Sequence, residues 1–135
     1  MRKKFKSDSD TVIIASRNPQ KLCSTLSENN FDDSYAIDVT SYEQWVNFKN
    51  YITDKYSHID ILINNAGGGI KIADTTEQTK ETIDGAVALN LNSVIYSSKL
   101  FGDIMKNGCY IYFNSISFTA KGKPELSAYT FKMPF

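Results

Sequence analysis

The chain has no glycine before Gly67, although it carries seven in 135 residues. Its first half therefore holds no glycine-rich turn that could bring backbone N–H groups close to a phosphate. Two cysteines, Cys23 and Cys109, are too few for a disulfide framework, and with a single histidine they form no metal-ligand cluster. Charge of one sign is lacking as well: 15 basic and 15 acidic side chains cancel, which argues against a nucleic-acid partner. No apolar run approaches the roughly 18 residues needed to cross a bilayer, so no membrane partner is expected. The basic start Met1-Arg-Lys-Lys-Phe-Lys6 looks like the opening of a signal peptide, but no apolar stretch follows it. These absences imply a single domain in a reducing, cytoplasmic compartment, with enough apolar residues (41%) for a core.

Four short runs rich in β-branched and aromatic residues read as strands: Thr11–Ala15, Tyr35–Asp38, Ile59–Ile63 and Cys109–Phe113. Segments of helical spacing lie between them. Asn18 caps the first, with Pro19 at its first helical position. Thr40-Ser-Tyr-Glu43 has the capping-box pattern, followed by Trp45, Phe48 and Ile52 on one face. A third helix is expected from Glu77 to Lys106, with Ile83, Val87, Leu91, Val94, Phe101 and Met105 as its apolar stripe and Gly108 as its stop. Strands alternating with crossover helices give an α/β fold with a parallel sheet.

Ligands of such a sheet bind beyond the carboxyl ends of its strands. There the sequence offers Ser16-Arg17, Asp38, Asn64-Asn65 and Asn114-Ser115. Asn and Ser also populate ordinary turns, so each cluster alone fits either a site or a turn. On a helical wheel Asn90 falls on the apolar side and Asn92 on the opposite one. A buried carboxamide must be hydrogen-bonded; the spacing leaves open whether its partner is a backbone carbonyl or a site water.

Asn64-Asn-Ala-Gly67, together with Asp38-Val39, Asn90-Leu-Asn-Ser93, Asn114-Ser-Ile116 and Ser127-Ala-Tyr129, resembles the short-chain dehydrogenase/reductase family in order and spacing over nearly the whole chain. The resemblance implies a partial Rossmann-type NAD(P)-binding domain over residues 1–135 and hydride transfer between a nicotinamide cofactor and a small-molecule carbonyl or alcohol. By the same resemblance Asp38, Val39, Asn65, Ala66 and Gly67 contact cofactor, and Asn90, Ser115, Tyr129 and Lys132 carry the chemistry. Ser117 is a rival to Ser115. Arg17 ends its strand where an acidic residue would favour NAD; a guanidinium suits a 2′-phosphate, so NADP is preferred, although Arg17 also fits a solvated turn. Family members use the long third helix as a dimer face, which allows a homo-oligomer unless the stripe is spent on core packing.

The sequence departs from the family at both ends. The TGxxxGxG turn and its strand are missing, and Arg2–Ser9 resembles the end of the helix that follows them. Lys132 comes three residues after Tyr129 where the family has four, and Pro134 closes the segment. The expected sheet is accordingly an incomplete Rossmann-type sheet without its first strand and its C-terminal strands. An alternative follows: a catalytically inactive truncated fragment, or a non-catalytic partner subunit.

Overall fold

The computed structural model describes residues 10–68, 75–105 and 108–112. Strands alternate with helices as expected: β1 (Ile13–Ser16), α1 (Pro19–Asn29), β2 (Asp33–Ala36), α2 (Tyr42–Tyr56), β3 (Ile61–Asn64), a 3₁₀ turn (Thr75–Glu77), α3 (Lys80–Val87), a π-helical segment (Ala88–Asn92), α4 (Ser93–Phe101) and β4 (Cys109–Tyr112). The chain divides into two compact units at Val39/Thr40.

In the first unit β1 and β2 pair in parallel, Ile13 opposite Asp33 through Ser16 opposite Ala36. Asn18 caps α1 as its sequence position implies, its Oδ1 accepting from Lys21 N at 2.9 Å, with Pro19 at the first helical position. Ile14, Leu22 and Phe31 form the core of this unit, with Val12 and Leu26 packed against it. The absence of glycine has a visible consequence at helix ends. Asn30 takes the left-handed position after α1 (φ 51°) and Ser57 a positive-φ position after α2 (φ 68°), both commonly filled by glycine.

In the second unit β3 and β4 pair in parallel, from Ile61 opposite Cys109 to Asn64 opposite Tyr112. Trp45 and Phe48 on α2 meet Phe101 of α4, the Trp45–Phe101 rings edge to face at 5.9 Å. Ile52 is buried beside them on the same face of α2, completing the expected stripe. The cap of α2 is Ser41, not Thr40: Ser41 Oγ accepts from Gln44 N at 3.4 Å, so the helix starts one residue later than the capping-box pattern implies.

The third helix differs most from expectation. It is interrupted at Ala88–Asn92 and ends at Phe101. Its buried positions are Ala86, Asn90, Ser93, Ser97 and Phe101, whereas Ile83 and Leu91 are exposed. The buried face is thus turned by about 70° from the apolar stripe, using the α-helical repeat. Apart from Phe101, which the expected stripe includes, the residues on the buried face are small or polar. Gly108 does not stop the helix. It stands before β4, where a Cβ would lie 2.3 Å from the carbonyl oxygen of Asp60, so glycine is required by the close approach of two parallel strands at their start.

Among the described residues no strand joins the β1–β2 ladder to the β3–β4 ladder. Among the described residues no helix is long and apolar enough to cross a membrane.

Candidate cofactor shelf at the end of the third strand

β3 ends in Asn64, whose side chain alternates onto a buried face and is 7% exposed. The next three residues, Asn65, Ala66 and Gly67, are exposed, and Gly68 is half-buried again. The helix formed by α3, the π segment and α4 fixes both ends of this stretch. At one end Ser97 Oγ, fully buried, donates to Asn64 Oδ1 at 2.7 Å. At the other, Asn90 pairs reciprocally with the backbone of Gly68. Its Oδ1 accepts from Gly68 N at 2.9 Å, and its Nδ2 donates to Gly68 O at 2.9 Å. A second donation from Nδ2 reaches Ala86 O at 2.9 Å. Asn90 is 3% exposed and makes three of the four hydrogen bonds open to a carboxamide.

Asn90 and Ser97 are seven residues apart, two turns on one stripe and about 10 Å along the axis. The exposed shelf Asn65–Gly67 is therefore held between two side chains of a single helix. Asn90 lies inside the π segment and its amide donates to the Ala86 carbonyl four residues back; such segments are frequent at functional sites. Gly68 takes φ 154°, a conformation that side-chain-bearing residues rarely adopt.

Asn90, Asn65, Ala66 and Gly67 are thus assembled in the second unit. In the first unit Arg17 follows β1 and is exposed, while Asp38 and Val39 are half-buried two and three residues beyond β2. Because β1 and β2 run parallel, Arg17 and Asp38 stand at the same end of that ladder. Ser115, Ser117, Tyr129 and Lys132 lie outside the described residues, as does Arg2–Ser9. Among the described residues no group of three or more His, Cys, Asp or Glu could hold a metal.

Sequence reasoning placed Asn90 on the buried side of its helix, where it lies, but did not single out Ser97 or Gly68. A signal for Ser97 existed: Ala86, Asn90, Ser93 and Ser97 recur at helical spacing as a stripe of small or polar residues beside the apolar one. Of the two partners open to Asn90, backbone carbonyls are present, at Gly68 and Ala86.

Parallel ladders with crossover helices and a fixed polar shelf at the carboxyl end of a strand define a Rossmann-type α/β protein. The family model for short chain dehydrogenases matches residues 1–130. The chain belongs to the short-chain dehydrogenase family. Oxidoreductase BOA17 of Botryotinia fuckeliana is 30% identical over 128 residues, covering 89% of this chain and 45% of that protein. An uncharacterized short-chain type dehydrogenase/reductase, y4vI, of Sinorhizobium fredii is 29% identical over 93 residues, 69% of this chain and 17% of that protein. The chain therefore spans less than half the length of these curated relatives. The fold is shared with a short-chain dehydrogenase of Streptomyces avermitilis (TM-score 0.86, 19% identity, 97% of this chain and 49% of that one). It is also shared with the Thermococcus sibiricus alcohol dehydrogenase complexed with 5-hydroxy-NADP (TM-score 0.83, 19% identity, 96% and 57%). A third solved relative is an NAD⁺-bound xylitol dehydrogenase (TM-score 0.83, 21% identity, 97% and 53%).

Proposed function

We propose that the protein is an NAD(P)-dependent oxidoreductase in which residues 1–135 form a partial Rossmann-type cofactor-binding domain. The observation that carries the reading is the shelf Asn65–Gly67, exposed yet pinned at both ends by buried hydrogen bonds. A solvent-filled turn has no need of such fixing; a surface that must meet a nucleotide in one geometry does. The shelf suits the cofactor because its exposed backbone and the Asn65 side chain offer donors and acceptors in a fixed place.

The nicotinamide cofactor supplies or accepts the hydride when bound. Asn65, Ala66 and Gly67 would hold it from the shelf, and Asp38 and Val39 are the further contacts that the family resemblance assigns. NADP is preferred over NAD on the strength of Arg17, whose guanidinium suits a 2′-phosphate. Solved relatives carrying 5-hydroxy-NADP and NAD⁺ are consistent with either choice. Tyr129 exchanges the proton with the carbonyl or alcohol oxygen. A free phenol has a pKa of about 10 and is poorly matched to neutral pH, so the cation of Lys132 is needed to favour its ionised form. Ser115 donates to the substrate oxygen as charge develops there. Asn90 holds Gly68, and the remaining lone pair of its Oδ1 is the one position its carboxamide offers to a water in a proton relay.

The reading extends to a cytoplasmic location, supported by the low cysteine content and the free, exposed Cys23. It also extends to a homo-oligomer, supported by exposed Ile83, Leu91 and Ile95 on the long helix (41%, 45% and 52%). The test is a titration of the chain with NADPH and NADH by calorimetry, followed by turnover on a panel of aldehydes and ketones. Saturable binding, tighter for NADPH, and loss of reduction in Tyr129→Phe are expected. No binding of either nucleotide would favour the inactive-fragment alternative.

A further inference from the structure

The Ser97–Asn64 contact lies outside the roles that the family resemblance supplies, and its hydrogen bonds do not close. Ser97 Oγ has one proton and two acceptors in range, Asn64 Oδ1 at 2.7 Å and Val94 O at 3.0 Å. Asn64 Nδ2, fully buried, has no hydrogen-bond partner among the described residues. A buried amide nitrogen left unpaired is costly. An apolar residue at position 97 would fill the same small space but would leave the buried Asn64 Oδ1 without this donor as well. The pair orients the carboxamide. With Ser97 donating, the oxygen of Asn64 is held toward α4 and the nitrogen is turned away from it.

We propose that Ser97 is a positioning residue for cofactor binding. By holding the Asn64 carboxamide in one orientation, it fixes the chain direction at which the Asn65–Gly67 shelf leaves β3. It is the counterpart, two turns along, of Asn90 at the Gly68 end. This rests on the shelf being a nicotinamide-cofactor surface. Without the Ser97 hydroxyl the Asn64 backbone stays in the β3–β4 ladder but its carboxamide is free to turn, and a surface that must be ordered on binding loses affinity.

The experiment compares full-length wild type, Ser97→Ala and Ser97→Cys, each alone and combined with Asn64→Ala. Calorimetric dissociation constants for NADPH and NADH are measured alongside thermal midpoints and the side-chain amide NMR signals of Asn64 and Asn90. Ser97→Ala should bind the nucleotide about tenfold more weakly, the equivalent of one lost hydrogen bond. Ser97→Cys, with a weak donor of similar shape, should fall between Ser97→Ala and wild type. In the Asn64→Ala background the Ser97 substitutions should have no further effect on binding. The Asn64 amide pair should shift or broaden in Ser97→Ala while that of Asn90 stays in place. A lowered midpoint with affinity within twofold of wild type would make Ser97 a packing residue and overturn the proposal. If wild type binds neither nucleotide, the cofactor reading falls, and the NMR signals still decide the positioning. An Asn64 amide unmoved by Ser97→Ala overturns that as well.

Discussion

Replacing Asn90 by aspartate changes one NH₂ to an oxygen and little else in shape, yet the structure makes it a pH-dependent lesion. As a carboxylate, residue 90 can still accept from Gly68 N, but it sets a negative oxygen against the carbonyls of Gly68 and Ala86 that Nδ2 now serves. Burial and the two facing acceptors both disfavour ionisation, so the folded-state pKa of this aspartate rises above its unfolded value of about 4. The protonated acid can preserve the reciprocal pair with Gly68, accepting from its N–H and donating to its carbonyl, and loses only the bond to Ala86. The folded protein then holds the proton more tightly than the unfolded chain. Stability relative to wild type is greatest below about pH 4 and falls as pH rises toward the folded pKa, by up to about 1.4 kcal/mol per unit. We expect a deficit of about 1 kcal/mol at the acid end and about 3 kcal/mol or more at pH 8. Asn90→Ala, which leaves the Gly68 and Ala86 groups unserved, should cost about 2–4 kcal/mol at either pH. Urea titrations followed by the fluorescence of the single tryptophan, Trp45, at several pH values measure both. An Asn90→Asp deficit that is the same at pH 4.5 and pH 8 would refute the reasoning.

Phe101→Ala should cost about 3–5 kcal/mol in the same titration, because Phe101 is 1% exposed and removing it opens a cavity against Trp45 and Phe48. Gly108→Ala should cost about 1–3 kcal/mol, since the Met105 side chain can yield but the Asp60 backbone beside the new Cβ cannot. The hydrogen bond from Lys49 holds the Asp103 carboxyl below the ordinary carboxylate range. Its stabilising effect is present above the unfolded value of about 4 and is lost as pH falls through the lower folded value. An NMR titration should accordingly show Asp103 returning toward that ordinary value in Lys49→Gln, and an unchanged titration would remove the pairing.

Much of the fold is written in local pattern. Short runs rich in β-branched residues favour strands over helices, and Ile13–Ser16 and Ile61–Asn64 appear within a residue or two of where their composition points. Asn18-Pro19 caps a helix through bonds reaching three residues, and the result is read directly from sequence. Trp45, Phe48 and Ile52 needed only the helical repeat to be assigned to one buried face. The family's motifs at Asn64–Gly67 and Asn90–Ser93 were legible for the same reason: each is a contiguous string.

Contacts between distant residues were not legible. Of the apolar stripe Ile83, Val87, Leu91, Val94, Phe101 and Met105, Phe101 is buried as expected, but Ile83 and Leu91 are exposed and the helix buries Ala86, Asn90, Ser93 and Ser97 as well. Gly108 looked like a helix stop until the Asp60 backbone stood beside it. Amino-acid order alone determined which segments become strands and helices, and which family they belong to. The tertiary structure decided which face of the long helix turns inward, and that Asn90 and Ser97 grip the two ends of one exposed shelf. That difference is physical. Capping and periodicity act within a few residues along the chain, whereas a hydrogen bond between Ser97 and Asn64 exists only after the fold has closed the 33 residues separating them.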